Sequence, residues 1–267
     1  MKKEIMESKK HILLVHGVSH GAWCWYKLVS LLKLAGHKVT ALDLGASGIN
    51  SKQIDEVTSF FDYLQPLMDF MSSLPQDERV VVVGHSLGGL GISLAMEKFP
   101  EKILAAVFIS AFMPNCNAPL TILTQEFFKW KSMDSIMDCT LTFGDGPENP
   151  PTSTCFGPIY LEKMLYHNCK PEDVELAKML VRPSRLFFGE LAKEFFITEA
   201  KYGSINRVFV VCEEDVDMKE GFQRWMIEHS PPNEVKAISN AGHMVMLSKP
   251  QELYQCLQEI TENYDSI

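Results

Sequence analysis

Arg79-Val80-Val81-Val82-Val83-Gly84-His85-Ser86-Leu87-Gly88 is the stretch that decides the fold. An unbroken β-branched run reads as a strand buried on both faces, and the segment behind it, ending near Phe99, has helical spacing. Ser86 therefore falls where a buried strand turns sharply into a helix. Glycines on both sides of a Gly-x-Ser-x-Gly serine let a strained turn pass close to neighbouring backbone, which lifts the hydroxyl out of the sheet towards the N-terminus of the next helix. The pentapeptide alone arises often by chance. With a strand before it, a helix after it, and a suitable histidine and carboxylate downstream, Ser86 reads as a nucleophile.

Outward from this turn, short β-branched runs alternate with longer helical patterns, the texture of an α/β protein with a mostly parallel sheet and helices on both faces. About six strands are expected, at His11–His16, Lys38–Asp43, Val80–His85, Ala105–Ser110, Arg207–Cys212 and Val235–Ser239. Helices are expected at Trp23–Ala35, Ile54–Ser73, Leu87–Phe99, Glu220–His229 and Gln251–Tyr264. The alternation breaks between Met113 and Ile205, where eight prolines interrupt short helical pieces rich in Phe, Met and Leu. That segment is too apolar for a disordered linker, so residues 113–205 read as a helical lid inserted into a core made of 1–112 and 206–267.

Composition bounds the function. A chain of 267 residues that is 46% hydrophobic has material for a substantial core, and a net charge of −9 scattered along the sequence gives no reason to expect nucleic acid or an anionic membrane as partner. Seven cysteines, an odd number without metal-ligand spacing, speak against a disulfide framework and against structural zinc. The first ten residues are charged and lack the apolar centre of a signal peptide, and no uncharged stretch is long enough to span a bilayer, so a cytoplasmic protein is expected.

An alcohol is a weak nucleophile at neutral pH, so Ser86 needs a base to take its proton and a carboxylate to hold that base in the right tautomer. Of eight histidines, His243 is the best placed, because Asn240-Ala241-Gly242-His243 is a small-residue loop after the last strand and topology brings such a loop to the edge that carries Ser86. The exit of the preceding strand, Glu213-Glu214-Asp215-Val216-Asp217, offers four carboxylates in five positions. Asp215 is the first choice, with Asp217 in reserve, since the earlier two positions still make the turn. Backbone N–H groups of Leu87, after the nucleophile, and of Val18, in the loop His16-Gly17-Val18-Ser19-His20-Gly21, are placed to receive the oxyanion formed when Ser86 attacks a carbonyl. His85 reads as a spacer on the far side of the turn, and His16 and His20 as hydrogen-bonding supports of the oxyanion loop.

The motifs HGVSHGAWCWYKL (16–28), GHKVTALDLGASG (36–48), GHSLGGL (84–90), ELAKMLVRP (175–183), FQRW (222–225) and GHMVML (242–247) resemble the plant methylesterase and hydroxynitrile lyase family of α/β-hydrolases over nearly the whole chain. In that family the acid stands seven residues before the phenylalanine of FQRW and 28 before the histidine, spacings that Asp215 meets. Asp217 is then left a surface role. The resemblance implies a serine esterase acting on the methyl ester of a small plant metabolite (an alkaloid, terpenoid or phytohormone), with no cofactor or metal. A homodimer is also implied. A hydroxynitrile lyase and a non-catalytic receptor are the alternatives on the same fold. Lyases of the family carry threonine where this chain has Gly17 and lysine where it has Met244. Cyanide departure calls for a cation, whereas Met244 would give a neutral wall beside an alkoxy group.

The acyl pocket is expected to be lined by Gly17, Leu123, Phe127, Ile136, Phe143, Phe156, Met164 and Met244. Several relatives that handle small substrates carry tryptophan at the position of Ile136, so isoleucine there implies room for a bulkier acid. An acid freed with a carbonyl β to it could then lose CO₂ spontaneously.

Overall fold

The computed structural model describes residues 9–131 and 133–264, so the charged segment 1–8 lies outside it. Strands β1 (His11–Val15), β2 (Lys38–Leu42), β3 (Val80–Ser86) and β4 (Ile103–Ala111) alternate with helices α1 (Tyr26–Leu34), α2 (Phe60–Tyr63), α3 (Gln65–Ser73) and α4 (Gly88–Lys98). Next come α5 (Leu120–Trp130), β5 (Thr140–Thr142), β6 (Ser153–Cys155), α6 (Pro158–Tyr160), α7 (Pro171–Leu180), β7 (Ser184–Arg185) and α8 (Phe188–Glu194). The first pattern then resumes with β8 (Arg207–Cys212), α9 (Glu220–His229), β9 (Glu234–Ile238), α10 (Val245–Ser248) and α11 (Pro250–Asn263).

Six strands make one sheet in the order β2-β1-β3-β4-β8-β9, with every neighbouring pair parallel. Side chains alternate between the two faces. Leu13, Val15, Val80 and Val82 join one buried cluster, and Ile12, Leu14, Val81 and Val83 join the other. This double burial is why β3 is a continuous valine run. Because all six strands run the same way, the loops after β1, β3, β8 and β9 open on one edge.

Expected and observed elements differ in three places. The helical pattern from Ile54 to Ser73 is broken into a single turn at Ile54–Glu56, then α2 and α3. The Ser59 side chain accepts the Asp62 N–H at 3.0 Å and starts α2 afresh, and Pro66 lies in the first turn of α3, where a missing N–H costs nothing. Residues 22–25 form a 3₁₀ turn before α1. The segment between β4 and β8 is not purely helical: β5, β6 and β7 form a small antiparallel sheet. Its strands are two or three residues long, too short for alternation to register in the sequence.

That segment is tied to the main sheet by buried charge. Asp173 on α7, only 1% exposed, accepts from Tyr26 Oη at 2.8 Å and Lys27 Nζ at 2.5 Å, both on α1. The Arg182 guanidinium donates to the carbonyls of Gly48, Asn50 and Lys52 at 3.2, 2.8 and 2.9 Å, while its backbone N–H reaches Ser19 O at 3.0 Å. Removing one partner of a buried pair strands the other, so Asp173→Ala should cost about 3 kcal/mol and lower the thermal midpoint by roughly 6–9 °C. The double variant Lys27→Met/Asp173→Leu should recover most of that loss in the same melting experiment.

Candidate active site

At the carboxyl edge of the sheet, β3 delivers Ser86 with φ of +53°, a left-handed conformation that a side chain rarely adopts. Of order 1–3 kcal/mol of strain is held there by the surrounding packing. Close approach explains the glycines. A Cβ on Gly88 would lie 2.6 Å from Val15 O, and one on Gly17 would lie 2.7 Å from Ser86 Cβ and 3.2 Å from Ser86 Oγ. The strand-to-helix turn and the loop after β1 therefore meet backbone to side chain, and Val18 and Leu87 line the same cavity as Ser86. Among the described residues, neither of these two N–H groups is spent on another backbone acceptor.

His243 is 3% exposed and Asp215 is 4% exposed. The His243 Nδ1–H donates to Asp215 Oδ2 at 2.7 Å. Ser110 Oγ donates to the same oxygen at 2.5 Å, and Oδ1 accepts the backbone N–H groups of Asp217 and Met218, each at 2.8 Å. Burial pushes the Asp215 carboxyl up, but the charge and hydrogen bond of His243, together with Ser110, bring it below the ordinary carboxylate value. Burial pushes the His243 imidazolium down, and Asp215, by charge and hydrogen bond, reverses that with help from Asp217, so its pKa stands above 6.5. Its Nε2 is free to act as the base, because Nδ1 keeps the proton.

Ser86 and His243 line one cavity. No hydrogen bond joins Ser86 Oγ to His243 Nε2 among the described residues, a contact that is commonly loose before substrate arrives and tightens in the complex. Three other histidines are neutral supports. His16 donates from Nδ1 to Gly17 O at 2.7 Å and accepts the Leu44 N–H at Nε2. His20 donates to Val18 O at 2.7 Å and accepts from Tyr166 Oη at 2.8 Å, with burial pushing it down to about 3. His85 is not a spacer on the far side. Its Nε2–H reaches the His243 carbonyl at 2.9 Å, and the two rings lie 4.6 Å apart.

The cavity has roughly 1090 Å³ between its atoms, a figure that includes open solvent at its mouth. Gly17, Val18, Leu87, Phe127, Ile136 and Phe156 line it as expected positions. Leu123, Phe143, Met164 and Met244 do not. Leu123, one helical turn before Phe127, is seated in the main core. Phe143 follows β5 into an exposed turn and is 43% exposed. Met164 packs against the core cluster on the α11 side of the sheet while its neighbour Leu165 faces the cavity. Met244 is fully buried in that same cluster at the start of α10, so the wall it was expected to form beside an alkoxy group does not exist.

Asp217 also departs from expectation: it is not a surface carboxylate. It is 9% exposed, lines the cavity, and pairs with Lys131 Nζ at 2.6 Å, while the Tyr160 hydroxyl donates to the same oxygen. The β8 exit folds inward under the segment carrying Lys131. Burial pushes its carboxyl up, and Lys131 above all brings it below the ordinary value. Sequence reading also missed Lys131, Tyr160 and Ser110. Ser110 did leave a signal, as the only polar residue in the buried strand Ile103–Ala111.

A strained serine, a histidine held by a buried carboxylate and two uncommitted amides on one sheet edge make up a set for acyl transfer. The family model described as the alpha/beta hydrolase family matches residues 12–255. The chain belongs to this family. It is 51% identical to methylesterase 10 of Arabidopsis thaliana over 96% of this chain and 93% of that protein. It is likewise 51% identical to methyl jasmonate esterase 1 of Vitis vinifera, over 96% and 98% of the two chains. The crystal structure of polyneuridine aldehyde esterase superposes with a TM-score of 0.91 at 46% identity, covering 95% of this chain and 100% of the other.

Three outcomes follow for this α/β-hydrolase. In Gly17→Ala, the new Cβ displaces Ser86, so kcat should fall on the order of 10²-fold in an ester hydrolysis assay with the circular dichroism spectrum unchanged. The pH profile of kcat/KM should lose activity as His243 gains a proton, with a midpoint above 6.5. Asp217→Asn removes an anion that favours the imidazolium and leaves the Lys131 cation behind, so that midpoint should move to lower pH. A midpoint that stays in place or rises in Asp217→Asn would show that residue 217 does not act on His243.

Proposed function

We propose that the protein is a serine carboxylesterase that hydrolyses the methyl ester of a small plant metabolite. The observation that carries this reading is the buried His243–Asp215 pair, with His243 lining the same cavity as Ser86. Ser86 Oγ attacks the ester carbonyl as His243 Nε2 takes its proton, and the oxyanion that forms is received by the Val18 and Leu87 N–H groups. His243 returns the proton to the leaving methoxide, which departs as methanol. Water then attacks the acyl-enzyme with His243 again as base, releasing the acid and restoring Ser86. Asp215 stays ionised throughout and keeps the proton on Nδ1.

Residues 113–205 act in this account as a lid over the carboxyl edge, supplying Phe127, Ile136 and Phe156 to the acyl pocket. Ile136 lines that pocket and favours an acid bulkier than a single aromatic ring. An ester with a carbonyl β to it would yield an acid able to lose CO₂, giving a product one carbon shorter. Relatives named for methyl jasmonate and for polyneuridine aldehyde support an ester substrate.

Purified protein should release methanol from bulky methyl esters faster than it releases cyanide from mandelonitrile, and Ser86→Ala should lose on the order of 10⁴-fold in kcat. Faster cyanide release, or an undiminished Ser86→Ala, would overturn the assignment.

A further inference from the structure

The cavity that holds Ser86 is walled by Phe112, Phe127, Phe156, Leu186 and Phe187, yet it also contains a lysine and an aspartate that bond no reacting group in the hydrolysis described above and act on His243 only by charge. Lys131 Nζ donates to Asp217 Oδ1 at 2.6 Å and to Tyr160 Oη at 3.1 Å, and sits 5.0 Å from the centre of the Phe127 ring and 5.5 Å from that of Tyr160. An ammonium has three donors, and two are accounted for. Asp217 Oδ1 takes both Lys131 and the Tyr160 hydroxyl, while Oδ2 has no partner among the described residues. Lys131, Asp217 and Tyr160 all line the cavity.

A latch between lid and core would cover both carboxylate oxygens, because an ion pair in an apolar setting gains little unless its remaining lone pairs and protons are satisfied. Here one N–H and one carboxylate oxygen are left without a partner among the described residues, on two paired side chains that line the cavity. The pair is neutral as a unit, so it suits a dipole better than a full charge. We infer that Lys131 and Asp217 form a second recognition point of the acyl pocket, which binds a neutral oxygen function (a ketone or hydroxyl) on the acid part of the substrate, away from the ester. The inference rests on the esterase reading and narrows its substrate class. A carbonyl accepts from Lys131 Nζ, and a hydroxyl both accepts from it and donates to Asp217 Oδ2. A hydrocarbon in the same place leaves both groups desolvated without a partner, and that penalty is the source of selectivity.

The test is a series of straight-chain methyl oxoalkanoates with the ketone moved stepwise along the chain, each compared with the methyl alkanoate of equal length, with 4-nitrophenyl acetate as the general esterase probe. At one or two ketone positions the wild-type kcat/KM should favour the oxo ester by about tenfold or more. That ratio should collapse towards one in Lys131→Met/Asp217→Leu, a neutral replacement of the pair, and persist in Lys129→Met, whose ammonium is exposed and bonded to Glu126. A wild-type ratio near one at every ketone position would overturn the inference whatever the variants do. So would a ratio that survives in the double variant, or a preference for a methyl ω-aminoalkanoate, which would mark Asp217 as an unshared anion. Absence of any ester cleavage by the wild type, 4-nitrophenyl acetate included, would instead bring down the esterase reading beneath it.

Discussion

The arrangement depends on one buried carboxylate, Asp215, which must be ionised without water to solvate it. Its four hydrogen bonds come from Ser110, His243 and the backbone of Asp217 and Met218, and they replace the hydration it has lost. The donors are fixed by three parts of the chain: the end of β4, the loop after β9 and the turn after β8. The carboxylate therefore sets where three loops converge, and it fixes the His243 tautomer at the same time. Desolvation and charge pairing oppose each other at His243, and pairing wins. Asp43 acts on His16 and Asp215 on His85 by charge, but neither carboxylate is hydrogen-bonded to those rings, and His20 has no anion acting on it, so desolvation wins at all three and they serve as hydrogen-bonding supports.

Parallel strands make this convergence possible. They place every β-to-α loop on one edge, and the serine on β3 is lifted above that edge by a left-handed turn that only close backbone approach at Gly17 and Gly88 permits. The strain at Ser86 is maintained by packing between β1, β3 and α4. The geometry at Ser86 and the packing of the core are thus one problem in this fold, since the glycines that let the sheet close are those that let the loop reach Ser86.

Much of this was legible in the sequence because it is periodic or punctuated. The valine run of β3 and the strands around it announce a sheet buried on both faces, the Gly-x-Ser-x-Gly turn and the acidic exit of β8 point to the polar centre, and the family resemblance singles out Asp215 by its spacing to Phe222 and His243. What failed was anything set by side-chain direction alone. Met244 follows His243 in the chain but points to the opposite side of the backbone, into the core under α11. Leu123 and Phe127 share a helix face, yet only the second extends far enough to touch the cavity. Asp217 looked like one more carboxylate in an acidic turn, and nothing local shows that Lys131, 86 positions earlier, folds down to pair with it. The three short strands of the inserted segment escaped for want of length.

The account centres on an alcohol made reactive by a histidine that a buried carboxylate orients. The most direct measurement is the rate at which a fluorophosphonate attaches to the protein, with the adduct mapped by peptide mass spectrometry. The account predicts a single adduct on Ser86 that forms rapidly in the wild type and orders of magnitude more slowly in Asp215→Asn. An adduct elsewhere, or one on Ser86 that forms equally fast in both proteins, would contradict it.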